Sequence, residues 1–471
     1  MLFSSIEFLF YFFPAIIFFY FIFKNNTPIK NTILLIFSLC FYAFGEPKFV
    51  LILLVSTFIN YILGLLVDKY RLNKKISYTI LTTMCIVNLG LLFIYKYLVF
   101  FISNVNNAFN TNLYVPNIIL PIGISFFTFQ AMSYVIDVYR QSAKVQKNPF
   151  YLALYISFFP QLIAGPIVRY QTISEQILNR KETMEDFSIG TCRFIIGISK
   201  KVIISNQMAI VADHIYELNA INNISTSLAW LGSIAYTLQI FFDFSAYSDM
   251  AIGLGRMFGF KFDENFNYPY ISKSISEFWR RWHISLGSWF KNYLYFPLGG
   301  SKVNSKAKLI RNLFIVWLCT GIWHGANWTF ILWGLLNLVF ILIERTTKFE
   351  KLKIPSFIKN CYCLLIVNFG WVLFRADSLV NAKKYLFSMF NINVNLADDT
   401  TLMFLREYFI FFILAIIFST PISHKLSNYI CKYKMEKLIC FIYPIGMLLL
   451  FALTVSYLVM GSYNPFIYFN F

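Results

Sequence analysis

Between Arg311 and Glu344 the chain carries no charged residue, yet the middle of that run reads Trp323-His324-Gly325-Ala326-Asn327-Trp328. A long uncharged apolar run belongs in hydrocarbon, whereas an imidazole and an amide there need partners or a water-filled cavity. The legs are short for two crossings. They hold about 11 residues before His324 and about 15 after Asn327, against roughly 20 for a full span. At 1.5 Å per residue the first leg covers roughly 17 Å, about half of a 30 Å core. The segment is therefore expected to be a re-entrant hairpin, or to lie where the bilayer is thinned. Either way His324 is placed near membrane depth, in a pocket lined by protein or water.

The rest of the chain fits the same environment. Of 471 residues, 58% are hydrophobic and only 13% charged, which excludes a soluble globular protein of this size and predicts an all-α polytopic integral membrane protein. It reads as a single membrane-embedded domain over 1–471, with the lipid bilayer as its first partner. The net charge of +18 is read as cytoplasmic loops rich in Lys and Arg, not as a nucleic-acid surface. The eight cysteines fall mostly in apolar runs, with no zinc spacing and no disulfide framework, and no metal is expected. The N-terminus lacks a basic start and a small-residue cleavage site, so it is read as a first membrane helix.

Apolar runs near 2–23, 31–45, 48–67 and 77–102 predict four helices. The basic loops between them place the N-terminus outside, and 103–117, without charge, reads as an external loop. A fifth helix is expected near 119–138. Pro160, Gln161, Gly165 and Pro166 then interrupt the run 150–170, which suggests a re-entrant segment. The stretch 214–227, without Lys or Arg, reads as external. The helix 227–260 buries Gln239, Asp243 and Asp249 in an apolar context, which calls for a bundle interior, a partner or a water-filled cavity.

From 256 to 311 lies the largest basic block. Within it Phe278, Trp282, Leu286, Trp289, Phe290 and Tyr293 recur at spacings of three and four, predicting one amphipathic helix in the inner interface, with His283 on its flank near Trp279 and Gly287. Helices near 360–374, 402–420 and 438–460 follow, with a polar stretch from Asn391 to Thr401 and a basic loop from His424 to Lys437.

The stretches FWRRWHISLGSWFKNYLYFPLGG and GIWHGANWTFILWG, together with PIGISFFTFQAMSYVIDVYR (121–140), FFPQLIAGP (158–166) and FFDFSAYSDMAIGLG (241–255), resemble the membrane-bound O-acyltransferase (MBOAT) family. The likeness covers about 1–460 and is strongest to the bacterial branch that acetylates alginate or peptidoglycan. The branch that carries D-alanine to teichoic acids fits less well. The resemblance implies a bundle of roughly 10–12 membrane helices with re-entrant and interfacial helices around a central tunnel. It implies an acyltransferase enzyme of the bacterial cytoplasmic membrane, with no permanently bound cofactor. The donor would be a cytosolic thioester, acetyl-CoA or an acyl-carrier thioester. The acceptor would be an extracytoplasmic glycan, or a relay partner resembling an SGNH-hydrolase-like acetyltransferase. Carried over by position, the near-invariant histidine is His324 and its partner position is His283.

Acyl transfer to a hydroxyl needs a base for its proton, stabilisation of the oxyanion and exclusion of water. A histidine suits the first task. His324 is the candidate base, set against a packing role between Trp323 and Trp328. His283 reads as polarising the carbonyl, orienting His324 or binding the donor, or as an interfacial side chain with its tip in water. Asp243 and Asp249 read equally as holding a histidine tautomer, lining the tunnel, or gluing helices together. Tyr236, Gln239, Gln130, Trp279, Trp323 and Asn327 complete the candidate lining. A transporter or flippase is the reading from another class, because broken helices and intramembrane carboxylates also mark transport paths. The absence of an internal repeat weighs against it.

Overall fold

A computed structural model describes residues 1–23, 26–221, 224–391, 398–422, 426, 429, 436–461 and 463–467, with side chains left out at 436–440. Among these residues there are helices and no strands, as expected where lipid leaves backbone groups no outside partner. Among the described residues, eight helical runs are long and apolar enough to cross a membrane: Thr27–Gly45, Val50–Lys69, Lys74–Phe109, Met184–Ile221, Trp328–Thr346, Ser356–Arg375, Asp399–Phe418 and Phe441–Val459.

The chain sorts into two compact units, 1–194 with 250–263, and 195–249 with 264–471. The first holds α1 (Phe13–Ile22), α2 (Thr27–Gly45), α3 (Val50–Lys69), α4 (Lys74–Leu92), α5 (Leu98–Phe109), α6 (Ile124–Tyr139), α7 (Pro149–Ser157), α8 (Phe159–Leu162), α9 (Tyr170–Asn179) and most of α10 (Met184–Ser199). Three of its helices, α2, α4 and α7, start at an asparagine cap. Asn26, Asn73 and Asn148 each accept a hydrogen bond from the second or third amide that follows. Inside, α3 and α4 exchange two amide hydrogen bonds between Asn60 and Asn88, at 3.0 and 2.9 Å. The expected interruption near Pro160 is a break at Phe158. Side chains take over the released backbone groups: Phe159 N–H donates to Ser38 Oγ at 3.1 Å, and Gln161 Nε2 donates to the Tyr155 carbonyl at 2.5 Å.

The second unit holds α11 (Asn206–Ile221), most of α12 (Thr226–Met257), α13 (Ile275–Arg281), α14 (Ile284–Phe290), α15 (Lys306–His324), α16 (Trp328–Thr346), α17 (Ser356–Arg375), α18 (Leu379–Ser388), α19 (Asp399–Phe418) and α20 (Glu436–Val459).

Several expectations need correction. The uncharged stretch after 102 is not a loop from Ser103, because α5 continues to Phe109. The fifth helix starts only at Ile124, and α11 runs to Ile221, well into the segment read as an external loop. The amphipathic helix is not continuous. It breaks at Trp282 and His283, and His283 takes the left-handed conformation with φ +46°. The histidine stands at the break, not on a helix flank. The first leg of the hairpin is also longer than its apolar run. α15 begins at Lys306, through the basic residues, and its 19 residues span about 28 Å. The helix α18 had no expectation attached to it. The polar stretch from Asn391 and the basic loop from His424 fall largely outside the described residues.

Candidate active site

The site is built in the second unit from α12, α13, α15, α16 and α17. His324 is the last residue of α15, where Gly325 leaves the helix in an extended conformation. The chain turns back at once, because the side chain of Asn327 accepts the Thr329 N–H at 3.1 Å and starts α16. Asn327 also donates to the Asp377 carbonyl at 2.8 Å. The hairpin closes tightly. A Cβ on Gly321 would meet the Phe330 carbonyl oxygen at 2.6 Å, and one on Gly334 would meet the Trp317 carbonyl oxygen at 2.5 Å. Small residues here let the two backbones touch.

His324 is 5% exposed and ringed by aromatics, with centroids 5.0 Å from Trp323, 4.9 Å from Trp333 and 5.1 Å from Phe374. Trp333 in turn lies edge-on to Trp279 at 5.4 Å and stacks on Trp371 at 6.0 Å. One helix, α16, thus fixes both histidine-bearing segments. Its Trp333 packs on His324. Its Asn337 accepts from Trp279 Nε1 at 2.9 Å. Its buried Glu344 caps α13, accepting from Ile275 N–H at 2.5 Å, Ser276 N–H at 3.0 Å and Ser276 Oγ at 2.8 Å. A carboxylate at a helix N-terminus also meets the positive end of the dipole.

His283 is 2% exposed, which removes the reading of a side chain with its tip in water. Its ring meets Phe244 edge-on at 4.5 Å and lies 6.2 Å from Trp323. It lies outside the eight candidate spans. Burial first, and repulsion between the two rings when His324 is protonated second, push its pKa well below the ordinary histidine value, so the ring is neutral. Its Nδ1 sits 3.2 Å from Asn265 Oδ1. His283 forms part of the wall of a cavity of about 650 Å³, with Trp279, Trp282, Trp317, Arg280 and Lys291. That volume is ordinary for a small-molecule site, and an apolar wall carrying a few polar groups is the usual make-up of one.

On α12, Tyr236, Gln239 and Asp243 follow at spacings of three and four and are all buried. Asp243 pairs with Lys201 at 2.6 Å and accepts the Ile467 N–H at 2.8 Å, while Lys201 also donates to the Pro465 carbonyl. Asp249 pairs with Lys200 at 2.7 Å. Both lysines belong to a π-helical widening, Lys200–Ser205, inside the long helical run Met184–Ile221. Both carboxylates therefore do what polar glue between helices does. The hydroxyl of Tyr236 and the side-chain oxygen of Gln239 meet no hydrogen-bond partner among the described residues. Gln130 belongs to the first unit, where its side-chain amide is buried without a partner among the described residues.

The residues that sequence reasoning missed are Asn265, Asn337, Glu344, Lys201 and Phe374. Glu344 carried a signal, since it is the acidic residue that ends the uncharged run. Asn265 carried none, because its neighbours Asp263 and Glu264 make the stretch look like an ordinary polar loop.

An all-helical, multi-pass architecture among the described residues, holding two buried histidines, one of them on a cavity wall, defines an integral membrane protein with a candidate small-molecule site. Residues 124–382 match the MBOAT model, the membrane-bound O-acyltransferase family, and the chain belongs to that family. All ten candidate residues fall inside the matched range. The chain is 36% identical to the probable alginate O-acetylase AlgI of Azotobacter vinelandii, over the full length of both. It is 34% identical to the peptidoglycan O-acetyltransferase of Helicobacter pylori, over all of this chain and 98% of that one. The teichoic acid D-alanyltransferase of Bacillus subtilis is more distant, 32% identical over 55% of this chain and 68% of the other. The protein is a multi-pass membrane acyltransferase.

Proposed function

We propose that the protein is an O-acetyltransferase of the bacterial cytoplasmic membrane that moves an acetyl group from a cytosolic thioester to a hydroxyl outside. The acceptor is a cell-surface polysaccharide or peptidoglycan, reached directly or through an SGNH-hydrolase-like partner. The full-length likeness to an alginate O-acetylase and a peptidoglycan O-acetyltransferase supports the acetyl group and this acceptor class. The observation that carries the site is the pair of buried histidines, with His283 on the wall of a cavity that also presents Arg280 and Lys291. Those cations suit the phosphates of acetyl-CoA or the acidic surface of an acyl carrier.

In this reading the acceptor oxygen attacks the thioester carbonyl carbon while His324 takes the hydroxyl proton. The tetrahedral intermediate then expels the thiolate, which receives the proton from His324, so the imidazole ends as it began. Trp323, Trp333 and Phe374, whose rings surround His324, keep bulk water from the base.

The test is O-acetyl content of exopolysaccharide and peptidoglycan in a deletion strain complemented with wild type or His324→Ala. Acetyl lost from one polymer and restored only by wild type is the expected result, with the variant down about 10²- to 10⁴-fold in rate. Full acetylation by a well-expressed variant would remove His324 from the chemistry. D-alanyl loss in place of acetyl loss would move the protein to the teichoic-acid branch.

A further inference from the structure

His283, on the cavity wall, is held by a clamp that the steps above do not use. Asn265 is fully buried, and its side-chain oxygen collects hydrogen bonds from the Ser285 backbone N–H at 3.1 Å and from Ser285 Oγ at 2.9 Å. The same oxygen faces His283 Nδ1 at 3.2 Å. The Asn265 carbonyl takes the Ile284 N–H at 2.9 Å, and its side-chain nitrogen donates to Ser248 Oγ at 3.1 Å. The left-handed turn at His283 is thereby held, at its ring and at the two residues after it, by one residue of another segment.

These bonds determine where the hydrogen of His283 sits. A backbone N–H only donates, so the group of Asn265 that meets Ser285 is its oxygen, because the NH₂ end would set donor against donor. With the oxygen there, a bare Nδ1 on His283 would set lone pair against lone pair. Nδ1 therefore carries the hydrogen, and in a neutral imidazole Nε2 is then the acceptor. Ser285 Oγ, 3.4 Å from Nδ1, then presents a lone pair to the ring, its own hydrogen being given to Asn265.

We propose that Asn265 is a positioning residue that locks His283 as the Nδ1–H tautomer, so that Nε2 accepts a hydrogen from an N–H or O–H of the bound substrates. This rests on reading the cavity as the acyl-transfer site. The consequence for chemistry is definite. A neutral ring in this tautomer receives hydrogen bonds through Nε2, so it does not polarise the thioester carbonyl, which needs a donor. It is fitted instead to hold an amide of the donor's pantetheine arm or the acceptor hydroxyl.

The chain has only four histidines, His214, His283, His324 and His424, which makes a direct reading practical. Full-length protein labelled with ¹⁵N-histidine in nanodiscs is compared with His283→Gln to assign the His283 ring. A protonated Nδ1 and a bare Nε2 at neutral pH are expected, and the reverse overturns the proposal. Asn265→Asp keeps the acceptor and adds a charge beside Nδ1, leaving His324, Arg280 and Lys291 as they are. The tautomer is retained, and the imidazole pKa and the acid limb of the pH–rate profile move up by about one unit or more. Asn265→Leu loses the tautomer preference and lies below Asn265→Asp in activity at its own optimum. A profile for Asn265→Asp that superimposes on wild type overturns the link to turnover. A higher KM for the donor points to the pantetheine amide as the partner of Nε2, and a lower kcat to the hydroxyl. The NMR reading needs no turnover, so it stands or falls apart from the His324→Ala experiment that tests the acyl-transfer reading itself.

Discussion

At the scale of single residues, polar groups in this protein differ in how completely they are matched. Lys201 and Asp243 are 3% and 2% exposed, and the pair also holds the backbone at Pro465 and Ile467. Lys200 and Asp249, a few residues away, are 25% and 15% exposed. Removing one partner from a fully buried pair leaves an uncompensated charge and costs about 3–5 kcal/mol, whereas a pair reached by solvent is worth about 1 kcal/mol or less. Lys201→Met is therefore expected to lower the thermal midpoint in detergent far more than Lys200→Met. Lys201→Met with Asp243→Leu is expected to regain most of the loss. Equal drops for the two single variants would show that the buried pair is not the stronger tie. The same contrast sets what a reader of the sequence can find. His324 stands out because it interrupts a run without charge. Asn265 does not, because its chemistry appears only when a distant turn brings Ser285 and His283 onto its amide.

At the scale of elements, the hairpin α15–α16 depends on contact between backbones. Gly321 and Gly334 leave no room for a Cβ, whereas Gly446, on α20, has nothing within 4 Å of where one would stand. Gly321→Ala is expected to wedge α15 from α16, costing about 1–3 kcal/mol and shifting His324 against Trp333. Acetylation should fall together with thermal stability, and Gly446→Ala should change neither. A Gly321→Ala protein with normal melting and normal activity would show that the two helices part without consequence. Periodicity located these helices but not their ends. It could not see that α15 starts among lysines, since a charged face costs nothing where it leaves the membrane. Nor could it see that the amphipathic helix breaks at His283. The apolar spacing runs straight through the break, and the left-handed turn is held by bonds that Ile284 and Ser285 donate to Asn265.

At the scale of the whole molecule, composition alone made an all-helical membrane protein legible, because hydrocarbon permits little else. The order of motifs indicated the family. What lay beyond reach was the internal wiring of each unit. In the first unit, Tyr20 donates to Glu182 Oε1 at 2.5 Å, Lys30 pairs with Glu182 at 3.1 Å, and Arg180 donates to Asn31 at 2.6 Å. Burial works against ionisation of Glu182, but the hydrogen bonds from Tyr20 and Lys30 and the charge of Lys30 outweigh it and hold the carboxyl below the usual glutamate range. A carboxylate with a depressed pKa stabilises the fold at pH values above its unfolded pKa, near 4.5, and the contribution is lost as pH falls through the folded value. The thermal midpoint is thus expected to drop on acidification from pH 5, and Glu182→Gln should flatten that dependence while lowering the plateau at pH 7. An unchanged slope in the variant would assign the acid sensitivity elsewhere. The rings around His324 carry one more implication, for the economy of the cell. A base able to deprotonate a sugar hydroxyl is equally able to deprotonate water, which is everywhere and is the smaller guest. On the function proposed above, a site without the indoles of Trp323 and Trp333 and the phenyl of Phe374 would turn the enzyme into a thioesterase, spending its donor on free acetate with no mark left on any polymer.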